Sequence, residues 1–306
     1  MFFAEGVLVR PSARFFPPLP VKPSLTQKAI AEVIGTFLLV FFGCGSVHTA
    51  VLYGAQNGVW QVAVVWGIAI MLAAYTVGGV SGAHLNPAMT IALAVYRRFD
   101  WPSAPAYIAA QLFGAFLAAG VLFCLFSGKI REIEHSASLL RRGDPGSIVT
   151  ASCYGEYFPN PGGLKDEIAR SGQTEWEQIQ PRVTLFHALL AEMLGTAILS
   201  GVVFAVTDQR NTGAPPAGNA PIFIGLTVAA LISVLAPLTQ ACFNPARDLG
   251  PRALAYLVGW GSVAIPGPNG WSFLIVYLFA PIAGAILGGA LYERVLRPAL
   301  PNTGDQ

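Results

Sequence analysis

The tripeptide Asn-Pro-Ala occurs twice in this chain, as Asn86-Pro87-Ala88 and as Asn244-Pro245-Ala246. Each copy follows one long apolar stretch and opens another. Asn is a preferred N-cap residue and Pro is favoured at the first helical position, so each tripeptide reads as a helix start. The apolar run behind the first copy, Met89 to Tyr96, is short. At 1.5 Å per residue, about ten residues reach roughly 15 Å, half of a hydrocarbon core about 30 Å thick. Two half-helices that begin inside a membrane indicate a broken-helix pore or transporter.

A membrane is the environment that the composition demands. The 306 residues are 54% hydrophobic and only 11% charged, whereas soluble domains carry about a quarter charged residues. A net charge of +2 gives no basis for a nucleic-acid partner. Cys44, Cys124, Cys153 and Cys242 have neither metal-ligand nor redox spacing. Cys44 and Cys124, in apolar stretches, read as small buried residues. With no cluster of His, Cys or acids at ligand spacing, neither cofactor nor enzymatic activity is expected. The proline-rich stretch Pro11 to Pro23 interrupts any signal-peptide core, so residues 1–27 read as a cytosolic tail.

Six full-length apolar segments stand at about 29–52, 60–79, 104–127, 183–206, 221–237 and 273–293, with a half-helix after the second and the fifth. Gly284 and Gly288 in the last form a GxxxG pattern suited to close helix contact in lipid. The halves repeat: Ala31-Glu32-Val33-Ile34-Gly35-Thr36 matches Ala191-Glu192-Met193-Leu194-Gly195-Thr196 at an offset of 160 residues, and the Asn-Pro-Ala copies are offset by 158. Three full spans per half is an odd number, so the second half enters from the opposite face, as an inverted repeat. The expected architecture is all-α, six transmembrane helices plus two re-entrant half-helices that meet N-terminus to N-terminus. The channel domain is 28–298, with halves at about 28–127 and 183–298, a long outer loop 128–182 and a C-terminal tail 299–306.

Orientation follows the basic residues. With the N-terminus inside, the inner segments hold Arg10, Arg14, Lys22, Lys28, Arg97, Arg98, Arg210, Arg294 and Arg297. The outer loop holds Lys129, Arg131, Arg141, Arg142, Lys165, Arg170 and Arg182. Both termini are expected in the cytosol.

A half-helix N-terminus concentrates unpaired N–H groups and about half a positive charge. Two facing each other make the midplane hostile to cations, hydronium included. If each Asn side-chain oxygen caps its own helix, the amide NH₂ remains to donate into the lumen. An oxygen held by Asn86 and Asn244 cannot also accept a proton along a water file. Dipoles and broken wire are both open as the dominant effect.

Ser81-Gly82-Ala83-His84-Leu85-Asn86-Pro87-Ala88 and Asn244-Pro245-Ala246-Arg247-Asp248-Leu249-Gly250-Pro251-Arg252 resemble the two signature segments of the aquaporin (major intrinsic protein) family. The resemblance covers about residues 25–298 and includes Glu32 and Glu192. Asp248 directly after Asn-Pro-Ala-Arg resembles the glycerol-facilitator (aquaglyceroporin) branch. The family implies a four-position selectivity filter on the outer side of the lumen, which falls on Trp66, Ile232, Ala241 and Arg247. A guanidinium is always charged and offers five donors. Arg247 would therefore repel cations and donate to solute hydroxyls, with Trp66 and Ile232 as the apolar wall opposite. Bacterial-type glycerol facilitators usually carry Gly and Phe where this chain has Ile232 and Ala241. The set Trp, Ile, Ala, Arg resembles instead the first group of plant nodulin-26-like channels. For Ile232 a packing position facing lipid or another helix is the alternative.

Glu32 and Glu192 stand mid-span, where a carboxylate is costly and so marks a function. Each is expected to accept hydrogen bonds from backbone N–H groups of a re-entrant loop; proton coupling is the rival role. Gly82, Ala83, His84, Gln240, Ala241 and Cys242 are expected to line the lumen through their carbonyls, with the His84 ring packed rather than gating. Pro251 lacks the N–H that would reach the Arg247 carbonyl, so a distortion is expected there. Asp248 and Arg252 are expected to pair locally. Cys242 falls within reach of thiol reagents, although Ala241 holds the filter position. The outer loop contains Tyr154-Gly155-Glu156-Tyr157-Phe158-Pro159-Asn160-Pro161 and, beyond it, Trp176. It either drapes over the outer vestibule or is a plain insertion.

The expected function is a passive channel for glycerol and other small uncharged solutes, including water and urea, that excludes ions and protons. A water-preferring or metalloid- and ammonia-permeable channel is one alternative; a secondary active transporter is the other. The expected setting is the cell membrane (inner or plasma membrane), and the resemblance implies a homotetramer with one pore per subunit.

Overall fold

The computed structural model describes residues 22–56, 58–136, 144–164 and 182–301. Helix α1 spans Leu25–Tyr53, α2 Val59–Ser81, the half-helix α3 Pro87–Val95, and α4 Ala104–Ser136. The second half repeats the order with α5 Leu185–Val206, α6 Ala220–Thr239, the half-helix α7 Pro245–Ala255, and the last span α8 Ser272–Ala299, which contains two π-helical turns. Six of these helices are long and apolar enough to cross a membrane. Most of the N-terminal tail, Trp176 and residues 302–306 lie outside the described residues.

Local chemistry sets the ends. α1 begins four residues before its apolar run because Ser24 and Gln27 form a reciprocal capping box, the Gln27 N–H donating to Ser24 Oγ at 3.3 Å and the Ser24 N–H to Gln27 Oε1 at 2.8 Å. α4 runs to Ser136 rather than stopping near 127. Its 33 residues reach about 50 Å, well beyond a hydrocarbon core of about 30 Å. The extra turns carry Lys129 and Glu132, paired at 2.5 Å three residues apart, a charged continuation suited to water. Cys44 is buried, whereas Cys124 is exposed on the outward face of α4, which corrects its reading as a buried residue.

Glycines set how closely the spans pack, and they repeat with the halves. A Cβ on Gly114 of α4 would strike the Val33 carbonyl of α1; one on Gly284 or Gly288 of α8 would strike the Met193 or Ala197 carbonyl of α5. The GxxxG pair is thus a helix contact within the subunit. α2 and α6 meet across the halves, where a Cβ on Gly67 would stand 2.7 Å from the Gly225 carbonyl. In each Ala-Glu-x-x-Gly-Thr stretch the glycine leaves room for a re-entrant side chain, Leu85 over Gly35 and Phe243 over Gly195. The interior is therefore a ring of six spans around two short helices. Phe186, Trp60, Trp101 and Trp271 are exposed near the ends of spans, where aromatic side chains favour the interface.

Candidate functional site

Between α2 and α3 the backbone enters the left-handed region repeatedly: φ is +86° at Gly82, +51° at Ala83 and +54° at Leu85. The same pattern recurs between α6 and α7, with +62° at Gln240, +60° at Ala241 and +53° at Phe243. Each non-glycine residue held there costs roughly 1–2 kcal/mol, so something must hold both segments. The holders are Glu32 and Glu192, both fully buried. Glu32 Oε1 accepts from the His84 N–H at 3.0 Å and from Ser81 Oγ at 2.6 Å. Its Oε2 accepts from the Leu85 N–H at 2.7 Å and from Gln111 Nε2 at 2.8 Å. Glu192 Oε1 accepts from the Cys242 N–H at 2.9 Å and from Thr239 Oγ1 at 2.6 Å, and Oε2 from the Phe243 N–H at 2.7 Å. With donors turned to the carboxylates, Gly82, Ala83, His84, Ala241 and Cys242 lie along a central cavity. Gln240 does not; it lines a second cavity.

Both Asn residues cap their helices. Asn86 Oδ1 accepts from the Ala88 N–H at 2.8 Å, and Asn244 Oδ1 from the Ala246 N–H at 3.0 Å. Each amide also crosses to the other half: Asn86 Nδ2 donates to the Phe243 carbonyl, and Asn244 Nδ2 to the Leu85 carbonyl, both at 2.8 Å. An amide carries two N–H donors, so only one per Asn remains for the lumen. The expectation that the whole NH₂ faces the solute path is corrected on this point. The cross-bonds tie the half-helices into one unit.

Two cavities, of about 380 and 370 Å³, share Trp66, Ile232 and Arg247 and meet there. Ala241 lines the first cavity only. Ile232 therefore stands at the junction, not toward lipid. The Arg247 guanidinium lies 4.4 Å from the Trp66 ring centroid, a cation–π geometry. Trp66 lies flat on Gly43, where any Cβ would collide with the ring.

Arg247 is not a bare charge. It is buried to 3% exposure and ion-paired with Glu156, itself 2% exposed. Glu156 belongs to the segment 144–164 between α4 and α5, and its neighbours lock that segment down. The Glu156 N–H donates to Asp248 Oδ1 at 2.7 Å, the Tyr157 N–H to Gln240 Oε1 at 2.9 Å, and Asn160 Nδ2 to the Ala236 carbonyl at 2.9 Å. Arg252 pairs with Asp248 at 2.9 Å and donates to the Ala264 and Glu156 carbonyls. Ser152, Asn160 and Gly162 of this segment line the second cavity. Sequence reasoning missed Glu156. Its only signal was an acid among aromatics in Tyr154-Gly155-Glu156-Tyr157-Phe158. Cation repulsion cannot rest on Arg247 alone, since its charge is matched.

Other expectations find their places. The His84 ring packs against Phe99 and Tyr107, at 4.6 and 4.9 Å between centroids, with Nδ1 3.2 Å from Thr90 Oγ1. Cys242 Sγ donates to the Asn244 carbonyl at 3.2 Å. α7 runs unbroken through Pro251, and the departure from helical backbone comes later, at Gly259 with φ +121°. A missing N–H inside a membrane helix is tolerated where neighbours take up the freed carbonyl.

The sequence profile of the major intrinsic protein family matches residues 21–292. The chain belongs to the major intrinsic protein family. It is 39% identical over 280 residues to the glycerol uptake facilitator protein of Pseudomonas aeruginosa, covering 92% of each chain. It is 38% identical over 278 residues to that of Escherichia coli (strain K12), covering 91% of each. The X-ray structure of the aquaglyceroporin from Plasmodium falciparum superposes with a TM-score of 0.73 at 25% identity, covering 90% of this chain and 98% of that one. The six-span inverted repeat is therefore the aquaporin fold, in a multi-pass membrane protein.

Proposed function

We propose that this protein is a passive channel for glycerol and other small uncharged solutes, water and urea among them, and that it excludes ions and protons. The observation that carries this is the junction of the two cavities, where a stacked, carboxylate-paired guanidinium faces an isoleucine. A solute there meets donors on one edge and carbon on the other, which suits a polyol. Trp66, Ile232, Ala241 and Arg247 act as the filter in this reading. Asn86 and Asn244 hold the midplane oxygen as a hydrogen-bond acceptor. The two glycerol uptake facilitator proteins to which the chain is similar support the substrate class.

Glu32 and Glu192 act as loop supports. Both oxygens of each are engaged by backbone and side-chain donors, which weighs against an ion-coupling role and so against a carrier. Asp248, bonded to Arg252 and to the Glu156 N–H, supports the outer loop. We place both termini in the cytosol, because Arg98, Arg210 and Arg297 gather on the face of the termini, around Asp208 and the Leu300 carbonyl. A homotetramer in the cell membrane, with one pore per subunit, completes the proposal.

Stopped-flow shrink–swell on proteoliposomes with water, glycerol, urea and longer polyols tests it. Glycerol should permeate well above empty-liposome rates, and polyols of increasing length should fall away. Water flux without glycerol flux would overturn the substrate class. Arg247→Val should raise glycerol-independent cation leak; unchanged ion exclusion would remove Arg247 from the filter.

A further inference from the structure

The inner cavity runs from the Trp66–Arg247 junction to a second guanidinium, that of Arg98, just beyond the C-terminal end of α3. The chemistry at the two ends is alike. Arg247 stacks on Trp66 and pairs with a buried carboxylate. Arg98 stacks on Phe204 at 4.6 Å and Tyr292 at 5.6 Å. It pairs with Glu293 at 2.6 Å and Asp208 at 3.2 Å. Those carboxylates are fixed in turn: Arg297 donates to Asp208 at 2.8 Å and to Glu293 at 3.1 Å, and Tyr292 Oη to Asp208 at 3.2 Å. The Arg98 fork is thus held in place before any solute arrives.

Three of its N–H groups are used, by Glu293 Oε1, Asp208 Oδ2 and the Phe204 carbonyl. A guanidinium has five, which leaves two without a partner among the described residues, on a side chain that forms cavity wall. Thr207 lines the same end; its hydroxyl donates to the Val203 carbonyl at 2.6 Å and keeps its lone pairs as acceptors. Ile70, Ala74 and Ile224 add carbon to the same cavity. The ion-paired groups Arg98, Arg297, Asp208 and Glu293 balance in charge, and Arg210 turns its guanidinium to the Leu300 and Pro301 carbonyls, so this end of the cavity suits a neutral hydroxyl-bearing solute better than an anion.

We propose that Arg98 and Thr207 form a second solute site, at the end of the lumen on the face of the termini, that binds the polar edge of a small polyol. The site replaces hydration water as the solute enters or leaves the apolar lumen. This rests on the reading of the lumen as a path for small neutral solutes.

The test is tracer glycerol exchange in proteoliposomes at equal concentrations on both sides, measured against concentration, with osmotic water permeability in parallel. Arg98→Gln should raise the half-saturation concentration about tenfold, the worth of one hydrogen bond from a charged donor, and leave water permeability within about twofold. Arg98→Lys should recover part of the shift. Parallel loss of water and glycerol flux, or an unchanged half-saturation, overturns the site. If Arg98→Gln does not assemble in the membrane, Thr207→Val decides, since it removes the hydroxyl while the Thr207 N–H still donates to the Val203 carbonyl at 3.2 Å: a raised half-saturation supports the site and an unchanged one overturns it. Failure of the wild-type protein to exchange glycerol at all would instead refute the channel reading, before any variant is compared.

Discussion

Glu156→Gln isolates the contribution of the segment 144–164 to the proposed filter. The substitution keeps the side chain's shape and removes its charge, leaving the Arg247 guanidinium uncompensated where it is 3% exposed. Breaking one partner of a buried ion pair costs about 3–5 kcal/mol, and neither partner is open enough to water for screening to reduce this much. Two responses follow. Stability falls by that order, and the guanidinium moves toward solvent, which is the lumen. There it holds water and solute more tightly and narrows the junction with Ile232. Glycerol and water permeabilities should both fall, glycerol more, because the larger solute meets the narrower junction. Detergent-solubilised protein followed by thermal unfolding gives the first quantity, and shrink–swell gives the second. A double-mutant cycle with Arg247→Gln then measures the coupling directly: the double variant should be less destabilised than the sum of the two singles. Additive losses, or a Glu156→Gln channel with wild-type stability and both permeabilities unchanged, would refute the claim that this pair sets the filter.

Other perturbations test the frame around the lumen. Glu192→Gln leaves one carbonyl oxygen to serve the Cys242 and Phe243 N–H groups and Thr239, and each charge-assisted bond is worth about 1.5–3 kcal/mol; a loss of at least about 2 kcal/mol in stability, with reduced flux, is expected by thermal unfolding and shrink–swell. Gly43→Ala should tilt Trp66 off its seat and change the ratio of glycerol to water permeability, while Gly45→Ala, which meets only ordinary contact with Leu122 at 3.5 Å, should not. At Asp208, burial raises the carboxyl pKa, but the Arg210 N–H, Arg297 and Arg98 together bring it below its ordinary value. The folded pKa is depressed, so the stability it contributes is complete above the unfolded carboxylate range near about pH 4. It is lost as pH falls through the folded value; in Asp208→Asn, thermal unfolding from pH 7 to pH 3 should show a shallower acid loss than wild type.

Much of the architecture could be read locally. An Asn-Pro pair in an apolar chain caps a helix wherever it stands, and Glu32 and Glu192 are conspicuous because a carboxylate at mid-span needs a reason. The odd number of spans per half then forces the inversion. What resisted reading was long-range. Glu156 is separated from Asp248 by 92 residues, and no local pattern tells which loop carboxylate reaches Arg247. From the sequence Arg98 reads only as a charge that orients the chain, since its approach to the lumen depends on how α5 and α8 pack around α3. At Pro251 the helix continues to Ala255, and the departure from helical backbone stands at Gly259. The filter positions themselves rest on family resemblance, and the meeting of Trp66, Ile232 and Arg247 at one junction depends on spans from both halves.

The central claim is passive conduction of a small neutral solute through the Trp66–Ile232–Arg247 junction. Its most direct test is radiolabelled glycerol uptake into proteoliposomes of the purified protein, with and without ionophores that collapse H⁺ and Na⁺ gradients, over a range of temperatures. Uptake should proceed without any ion gradient, be unchanged by ionophores, and depend on temperature as weakly as diffusion in water. Uptake that stops when the gradients collapse, or a steep temperature dependence typical of a conformational cycle, would contradict it.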